Sequence, residues 1–284
     1  MNEPWLLLDV SYLCYRAAYT TGNLEHEGAA TGVIFGVLRD IIAFQEYHQS
    51  SKIVFCFDSK HSKRRMIYPE YKANRRNKGR EDPKVWDMLN DLHDQINRLR
   101  KELLPEIGFR NIFVQRGREG DDLIAITSQL LAKVDEDSVI ISADKDLYQC
   151  LGPRVTMWKP QPKKFYTAQH LMDEFGVRPD QWAAVKSIAG DSGDNVPGVP
   201  RVAEKTAAKF INHQLSDTHH AIENIRAFAD QTRINMQLVQ LPIQGTKAQK
   251  IRKDKISRSG WESVTKELGM GRLARSLPRR SLHG

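Results

Sequence analysis

The sequence predicts an α/β fold: a central, mostly parallel sheet flanked by helices. Two observations predict it, namely four short runs that are apolar throughout and the helical periodicities that separate them. The first run is "WLLLDV" at residues 5–10, and the second is "KIVFCFD" at 52–58. Strands with one solvated face would alternate in polarity. Runs this continuous belong to strands covered on both faces, as parallel strands are. Between these two, Val33, Ile34, Val37, Leu38, Ile41 and Ile42 recur on one side of a helix. A second stripe follows, with Val85, Met88, Leu89, Leu92, Ile96, Leu99 and Leu103. The third run, "NIFVQ" at 111–115, precedes a helix expected over residues 121–131 that opens with acids in its first turn. The fourth run is "SVIISAD" at 138–144, and past about Thr167 the pattern turns all-helical. The chain is accordingly read as a core over residues 1–180, a helical subdomain over 181–244 and a basic tail over 245–284, with no internal repeat.

A chain of 284 residues, 40% hydrophobic and 27% charged, can bury a real core in one large or two unequal domains. No apolar run approaches the ~18 residues of a membrane span, and the N-terminus lacks the basic-then-apolar layout of a secretory signal. Cys14, Cys56 and Cys150 are scattered singly in apolar surroundings, as inert core thiols of a reducing cytoplasm are. Charge is segregated along the chain. Residues 245–284 hold eleven Lys/Arg against three acids, a net of +8 that equals the net charge of the whole chain. Within the otherwise neutral body, residues 60–80 hold nine Lys/Arg and one Glu. Some other part of the body must be acidic in compensation, which suits a polyanion held near a metal.

The acids lie where an α/β sheet binds its ligands, beyond the carboxyl ends of the strands. Asp9, Asp58 and Asp144 sit at or just past the ends of three runs, and Asp146 is two residues beyond Asp144. Glu119, Asp121 and Asp122, in "GREGDD", follow the remaining run and open a helix. Taken singly, an acid after a strand is more often a helix cap than a ligand. Seven in one topological place cannot all ionise without compensation, because like charges in contact raise each other's pKa. With oxygen donors and no His or Cys partner, the fitting cation is hard: Mg²⁺, with Mn²⁺ able to substitute. So many carboxylates suggest two ions, about 4 Å apart as in two-metal phosphodiester sites. An acidic hole beside a basic segment is the layout of a nuclease. No "GxxxxGK[ST]" phosphate loop is present, and no Ser/His or Cys/His arrangement offers a covalent nucleophile. Two further acids, Asp191 and Asp194, lie three apart in "SIAGDSGDNVPGVPRVAEKTA" (187–207), a Gly/Pro-broken loop ahead of a helix that carries Lys205.

These pieces together resemble the structure-specific 5′-nucleases: bacteriophage 5′-exonucleases, flap endonucleases and the 5′-nuclease domain of bacterial DNA polymerase I. The resemblance runs in order through "LLLDV", "FCFDS", "YPEYKANR", "GREGDDLIA", "IISADKDLYQ", "SIAGDSGDNVPGV" and "EKTA", about residues 5–210. It implies a PIN-like nuclease core, a basic helical arch over about residues 60–104, and a helix-three-turn-helix in the C-terminal helical subdomain. It also implies that Asp58, Glu119 and Asp121 bind a first metal, while Asp144, Asp146 and Asp194, with Asp121 shared, bind a second. Asp9, Asp122 and Asp191 would act through waters or orient the ligands. Lys72 and Arg75 would contact the scissile phosphate as catalytic residues. Arg16, Arg65, Tyr71 and Arg76 would join them against DNA, although Tyr71 also suits a packing role in the arch. Lys186 and Lys205 would grip duplex backbone.

The chain departs from the family pattern in two places. The family's turn "GVPGIGxKTA" reads "GVPRVAEKTA" here, so Arg201 and Ala203 replace glycines that let backbone N–H groups approach phosphate and a bound K⁺. Arg201 could supply a side-chain contact to DNA instead. The segment from Asp58 to Tyr71 is also one residue shorter than in relatives. The implied activity is that of a monomeric, cytoplasmic, metal-dependent 5′→3′ exonuclease and flap endonuclease in replication or repair. Its substrates would be DNA with 5′ ends, flaps or nicks, and RNA primers in RNA–DNA hybrids are compatible. A PIN-type ribonuclease is the enzyme alternative, though that class typically has fewer acids and lacks the "GDSGDN" turn. An inactive DNA-binding module is the other alternative, and it would have no reason to keep mutually repelling carboxylates.

Overall fold

The computed structural model describes residues 3–74 and 83–280, with the backbone alone over 83–88. Its sheet has six strands in the order β5-β4-β1-β6-β7-β8. These are β1 (Trp5–Asp9), β4 (Ile53–Cys56), β5 (Ile112–Phe113), β6 (Ser138–Ile141), β7 (Val155–Lys159) and β8 (Lys164–Tyr166); the short β2 (Glu25–His26) and β3 (Ala29–Ala30) pair separately. All neighbours in the sheet are parallel except β7 and β8. The centre is β1, where Leu7 pairs in register with Val54 on one side and Ile140 on the other. Leu6 and Leu8 enter one apolar layer and Leu7 the opposite one, all fully buried, which is why the run reads apolar at every position.

Helices α1 (Val10–Thr21) and α2 (Gly32–Tyr47) cover the first face. The second carries α6 (Gly120–Lys133) and the helical subdomain: α7 (Ala168–Phe175), α8 (Trp182–Ala189), α9 (Glu204–Ile211) and α10 (His220–Ala227), while α11 (Ala229–Val239) packs through Leu238 and Val239 on Tyr71 and Val196. Between β4 and β5 lie α3 (Arg64–Ile67), α4 (Pro83–Arg98), a π-turn over Leu99–Leu103 and α5 (Leu104–Ile107). Leu92, Leu99 and Leu103 of the expected stripe are buried; the side chains of Val85 and Met88 lie outside the described residues. The π-turn sits just before Pro105, which has no N–H to give to a carbonyl one turn back. Gln95 ties α4 to the body, its Oε1 accepting from the backbone N–H groups of Val33 (3.0 Å) and Ile34 (3.2 Å) in the open first turn of α2. Burial pushes the Cys150 thiol up to about 12 and holds the Cys14 and Cys56 thiols well above their ordinary value, so none is a thiolate near neutral pH.

Strands β7 and β8 are not among the expected ones. The residues from 245 onward also differ from a free basic tail. Trp261 is fully buried, and Val264, Leu268 and Met270 join it in the layer with α1 and α2, on helix α12 (Arg258–Glu267) and the turn after it. The approach to α12 runs beside β5, where Lys255 N–H donates to the Gly108 carbonyl at 2.7 Å. Gly108 has φ +108°, and a Cβ there would stand 2.0 Å from the Lys255 oxygen, so only glycine admits the segment. Among the described residues no helix is long and apolar enough to cross a membrane.

Candidate active site at the carboxyl rim of the sheet

The strands deliver their acids to one rim, and most of those acids cap something on the way. Asp9 ends β1 and caps α1, its Oδ1 accepting from Tyr12 N–H (3.0 Å) and its Oδ2 from the Ser142 hydroxyl (2.8 Å). Asp58, just past β4, accepts from Gly120 N–H (2.6 Å) and the Ser11 hydroxyl (2.8 Å). Glu119 and Asp122 form a reciprocal capping box at the start of α6. Asp144 caps the 3₁₀ turn Lys145–Cys150, accepting from Asp146 N–H at 2.8 Å. In the loop after α8, Asp191 Oδ1 accepts from Asp194 N–H at 3.1 Å. Cap and site are therefore the same residues here, because a cap on the first turn after a parallel strand faces the carboxyl rim.

Two lysines enter this rim. Lys72 Nζ lies 2.8 Å from Glu119 Oε2 and 3.5 Å from Asp194 Oδ2. Lys186 Nζ lies 2.6 Å from Asp191 Oδ2 and 3.1 Å from Asp146 Oδ1. The Tyr71 hydroxyl, 3.0 Å from Glu119 Oε2 and 2.8 Å from Asp194 Oδ2, shares its proton between them. Burial would raise Glu119, but the charges of Lys72 and Arg64 outweigh it and hold the carboxyl at about 2. Asp191 stays below its ordinary value for the like reason, Lys186 overcoming burial. The other acids go up. Burial, seconded by the charges of Asp58 and Asp144, takes Asp9 to about 7. Burial with Asp144 takes Asp146 to about 7 despite Lys186. Asp121 lies well above the usual carboxylate range through burial and the charges of Asp9 and Asp144, and Asp144 is raised by burial and Asp194.

Among the described residues no three such side chains close around a common point as an ion would need, the lysines and hydroxyls holding several of them apart. The donor set nevertheless fits a hard divalent cation in its chemistry. Four carboxylates, Asp9, Asp121, Asp144 and Asp146, crowd one rim and offer only oxygen. Asp9 is buried, Asp121 and Asp146 are half-buried and Asp144 is exposed, and lost hydration with neighbouring negative charge raises all four.

The expected nucleic-acid contacts divide. Arg201 and Lys205 are exposed on the loop and first turn of α9. Arg201 has φ +63°, the left-handed conformation of the glycine it replaces, at a cost of roughly 1–2 kcal/mol. The turn thus keeps a glycine's backbone course and adds a guanidinium. Lys186 is corrected from a surface contact to a buried counter-ion of Asp146 and Asp191. Arg16 pairs with Asp40 beneath the rings of Tyr12 and Phe44, Arg65 is half-buried, and Tyr71 is buried. Arg75 and Arg76 lie outside the described residues. Asp122 faces no open site: its carboxylate accepts from both terminal nitrogens of Arg64 (2.8 and 2.9 Å), from Ile243 N–H (2.9 Å) and from Glu119 N–H (3.0 Å). Sequence reasoning missed Arg64, which looks like its eight basic neighbours in residues 60–80 yet is buried. It also missed Asp40 and Ser142, which carry no local signal.

Fold and rim define a two-part protein, a resolvase-like α/β unit followed by a helical unit of SAM type. The first part matches the 5′–3′ exonuclease N-terminal resolvase-like domain over residues 4–176 and the second the 5′–3′ exonuclease C-terminal SAM fold over residues 177–258. The chain belongs to the 5′–3′ exonuclease family. It is 33% identical over 234 residues to a 5′–3′ exonuclease of Bacillus subtilis, covering 79% of this chain and 74% of that one. It is 31% identical over 231 residues to a 5′–3′ exonuclease of Buchnera aphidicola, covering 80% and 77%. Among solved structures, the bacteriophage T5 flap endonuclease in a pseudo-enzyme–product complex with DNA and metal ions shares the fold. Its TM-score is 0.69 at 18% identity, covering 96% of this chain and all of that one.

Proposed function

We propose that the chain hydrolyses phosphodiesters at 5′ ends and flap junctions of DNA, with Mg²⁺ as its cofactor. The observation that carries this is the crowded rim set of Asp9, Asp121, Asp144 and Asp146, raised together by lost hydration and neighbouring negative charge beside half-buried Lys72 and buried Lys186. Asp58, Glu119 and Asp121 would hold one ion and Asp144, Asp146 and Asp194, with Asp121 shared, a second. Such ions polarise a phosphate, activate water near neutral pH and stabilise a leaving oxygen. The chain's own residues do the rest. Lys72, fixed by Glu119 and Asp194, places a fixed positive charge at the rim, where charge develops as the phosphate is attacked. Lys186 keeps Asp191 ionised, and Asp191 in turn holds the Asp194 backbone. Arg201 and Lys205 present charge to duplex backbone without reading sequence, and the turn between them is the candidate site for K⁺. Arg16, Arg65, Arg75 and Arg76 complete the proposed DNA contacts, and the buried Tyr71 instead orients Glu119 and Asp194.

A 5′-flap DNA, a blunt duplex and a single-stranded RNA, each with Mg²⁺ and with EDTA, test the reading. Metal-dependent cleavage at the flap junction is expected. Cleavage of RNA alone would make it a PIN-type ribonuclease, and binding without cleavage an inactive module. Extending the flap series to an RNA–DNA hybrid tests primer removal. Lys72→Ala should lower kcat about 10²-fold while Kd changes little, since its partner is charge that exists only in the transition state. A loss confined to Kd would assign it to binding instead.

The metal-free protein should lose stability as pH rises. Asp9 and Asp146 titrate at about 7 in the folded chain, against an ordinary value of about 3.9 when unfolded. Between those values the folded state holds protons that the unfolded state has released, so stability falls with rising pH. Glu119, depressed to about 2, acts oppositely but only at lower pH; His48, depressed by burial to about 4, opposes up to about pH 6.5 and is offset by Asp254, which burial raises to about 6. In EDTA, Tm should therefore fall from pH 5 to pH 8, and Mg²⁺ should restore it at pH 8. A Tm in EDTA that rises over this range would remove the electrostatic basis of the site.

A further inference from the structure

Beside the acidic rim lies a second opening that the proposed chemistry does not use. Beyond the adjacent ends of β4 and β5, a cavity of about 360 Å³ is lined by Ser59, Lys60, His61, Arg100, Val114 and Arg116. The residues reach it from three segments. Phe57 N–H donates to the Phe113 carbonyl at 2.9 Å, which sets the two strand ends side by side, and Arg100 comes from the π-turn with its guanidinium 6.0 Å from the Phe57 ring centroid. Among the described residues no acid lines this cavity.

A basic ribbon starts at its edge. Gln115, next to Arg116, accepts from Lys247 N–H at 3.0 Å, and Gln249 Nε2 donates to the Val114 carbonyl at 3.2 Å. Farther along, Asn111 exchanges two hydrogen bonds with the backbone of Arg252 (2.8 and 2.9 Å), and Lys255 N–H bonds Gly108. Residues 247–255 are thereby clipped antiparallel to residues 108–115, outside the edge strand. Lys247, Lys250, Arg252, Lys253 and Lys255 are all exposed. Asp254, the one acid among them, is directed inward, its carboxylate accepting from Arg110 N–H (2.6 Å) and from the side chain of Asn111 (3.4 Å). What faces outward is positive.

We propose that this cavity and ribbon form a path for a single strand of nucleic acid leaving the acidic rim. A nine-residue ribbon at about 3.3 Å per residue spans close to 30 Å. At about 3.4 Å per phosphate that accommodates up to roughly eight stacked nucleotides. The ribbon is a single extended chain, and the path begins next to the rim, since Ser59 follows Asp58 and Arg116 precedes Glu119 by three residues. The inference rests on the nuclease reading only for which strand is carried.

The test is binding without metal, which separates it from catalysis. Fluorescein-labelled duplexes bearing a 5′ arm of zero, four or twelve thymidines are titrated in EDTA and read by anisotropy at several salt concentrations. The wild-type chain should bind more tightly as the arm lengthens. In Lys60→Ala/Arg116→Ala combined with Lys250→Ala/Arg252→Ala/Lys253→Ala, that increment should vanish, and the salt slope for the twelve-nucleotide arm should fall by about 0.7 for each phosphate that is no longer neutralised. The armless duplex should be bound as before. Arg116→Ala alone should remove part of the increment, which guards against a general effect of five changes. An unchanged arm-length increment overturns the path, and so does an equal loss of affinity for the armless duplex. If the arm effect is seen but no substrate is cleaved, the path stands and the nuclease reading falls.

Discussion

Replacing Asp121 by asparagine should abolish turnover and, in a chelator, raise the melting temperature. Both follow from one fact: Asp121 is half-buried at the crowded rim, where lost hydration and the charges of Asp9 and Asp144 push its carboxyl well above the usual range. A shape-conserving amide needs neither a proton nor an ionised form at that place, and relief on the order of 1 kcal/mol moves Tm by a few degrees in a chain of this size. The same change removes the carboxylate proposed to serve both ions, so kcat should drop by at least the ~10²–10³-fold typical of one lost electrostatic stabiliser. Binding of a flap duplex in EDTA should survive, because Arg201, Lys205 and the basic ribbon are untouched. Paired measurements of kcat, Kd and Tm decide the matter. A simultaneous fall in Tm and turnover would mean that Asp121 supports the fold and that its charge is not stored for a ligand.

That opposition of stability and function was legible in the sequence because it is local. Each of Asp9, Asp58 and Asp144 follows an apolar run, and a parallel strand necessarily ends at the rim where ligands bind. The continuous apolarity of residues 6–8 encodes two covered faces, and Leu6 and Leu8 do part from Leu7 into separate layers. Strands β7 and β8 escaped because Thr156, Lys159 and Lys164 break the apolar run. Charge concealed the packing of the last segment: eleven Lys/Arg drew attention from Trp261, Val264 and Leu268, whose helical spacing was itself a readable signal. Lys186 was read as gripping DNA because its position matches a lysine of the helix-three-turn-helix in the 5′-nucleases the sequence resembles. Its burial depends on Asp146 and Asp191 meeting it from separate segments, and no window of sequence contains that meeting. The same applies to Arg201, where the backbone keeps a glycine's conformation under a different side chain.

Arg64 is the extreme case, and its loss should have the largest effect on stability. Its guanidinium is buried, with both terminal nitrogens on Asp122 and Nε donating to the Leu238 carbonyl at 2.6 Å. One side chain therefore joins α3, the start of α6 and the end of α11. Arg64→Met leaves the Asp122 carboxyl fully buried without its guanidinium and with only two backbone donors, a situation that costs about 3–5 kcal/mol. Adding Asp122→Asn should return part of that loss. The amide carries no charge to strand, and its single oxygen can still accept from one of the two N–H groups, Ile243 or Glu119, which bond different oxygens of the carboxylate. The double variant should thus be more stable than Arg64→Met alone, an inversion that independent sites never show. Turnover should not recover with stability, since Arg64 Nη1 also stands 3.8 Å from Glu119 Oε2 and helps keep that carboxyl ionised. Denaturant unfolding of the two variants, with kcat measured beside it, tests both halves. Additive losses would reduce the Arg64–Asp122 pair to two unrelated packing interactions, and full recovery of turnover in the double variant would detach Arg64 from the chemistry.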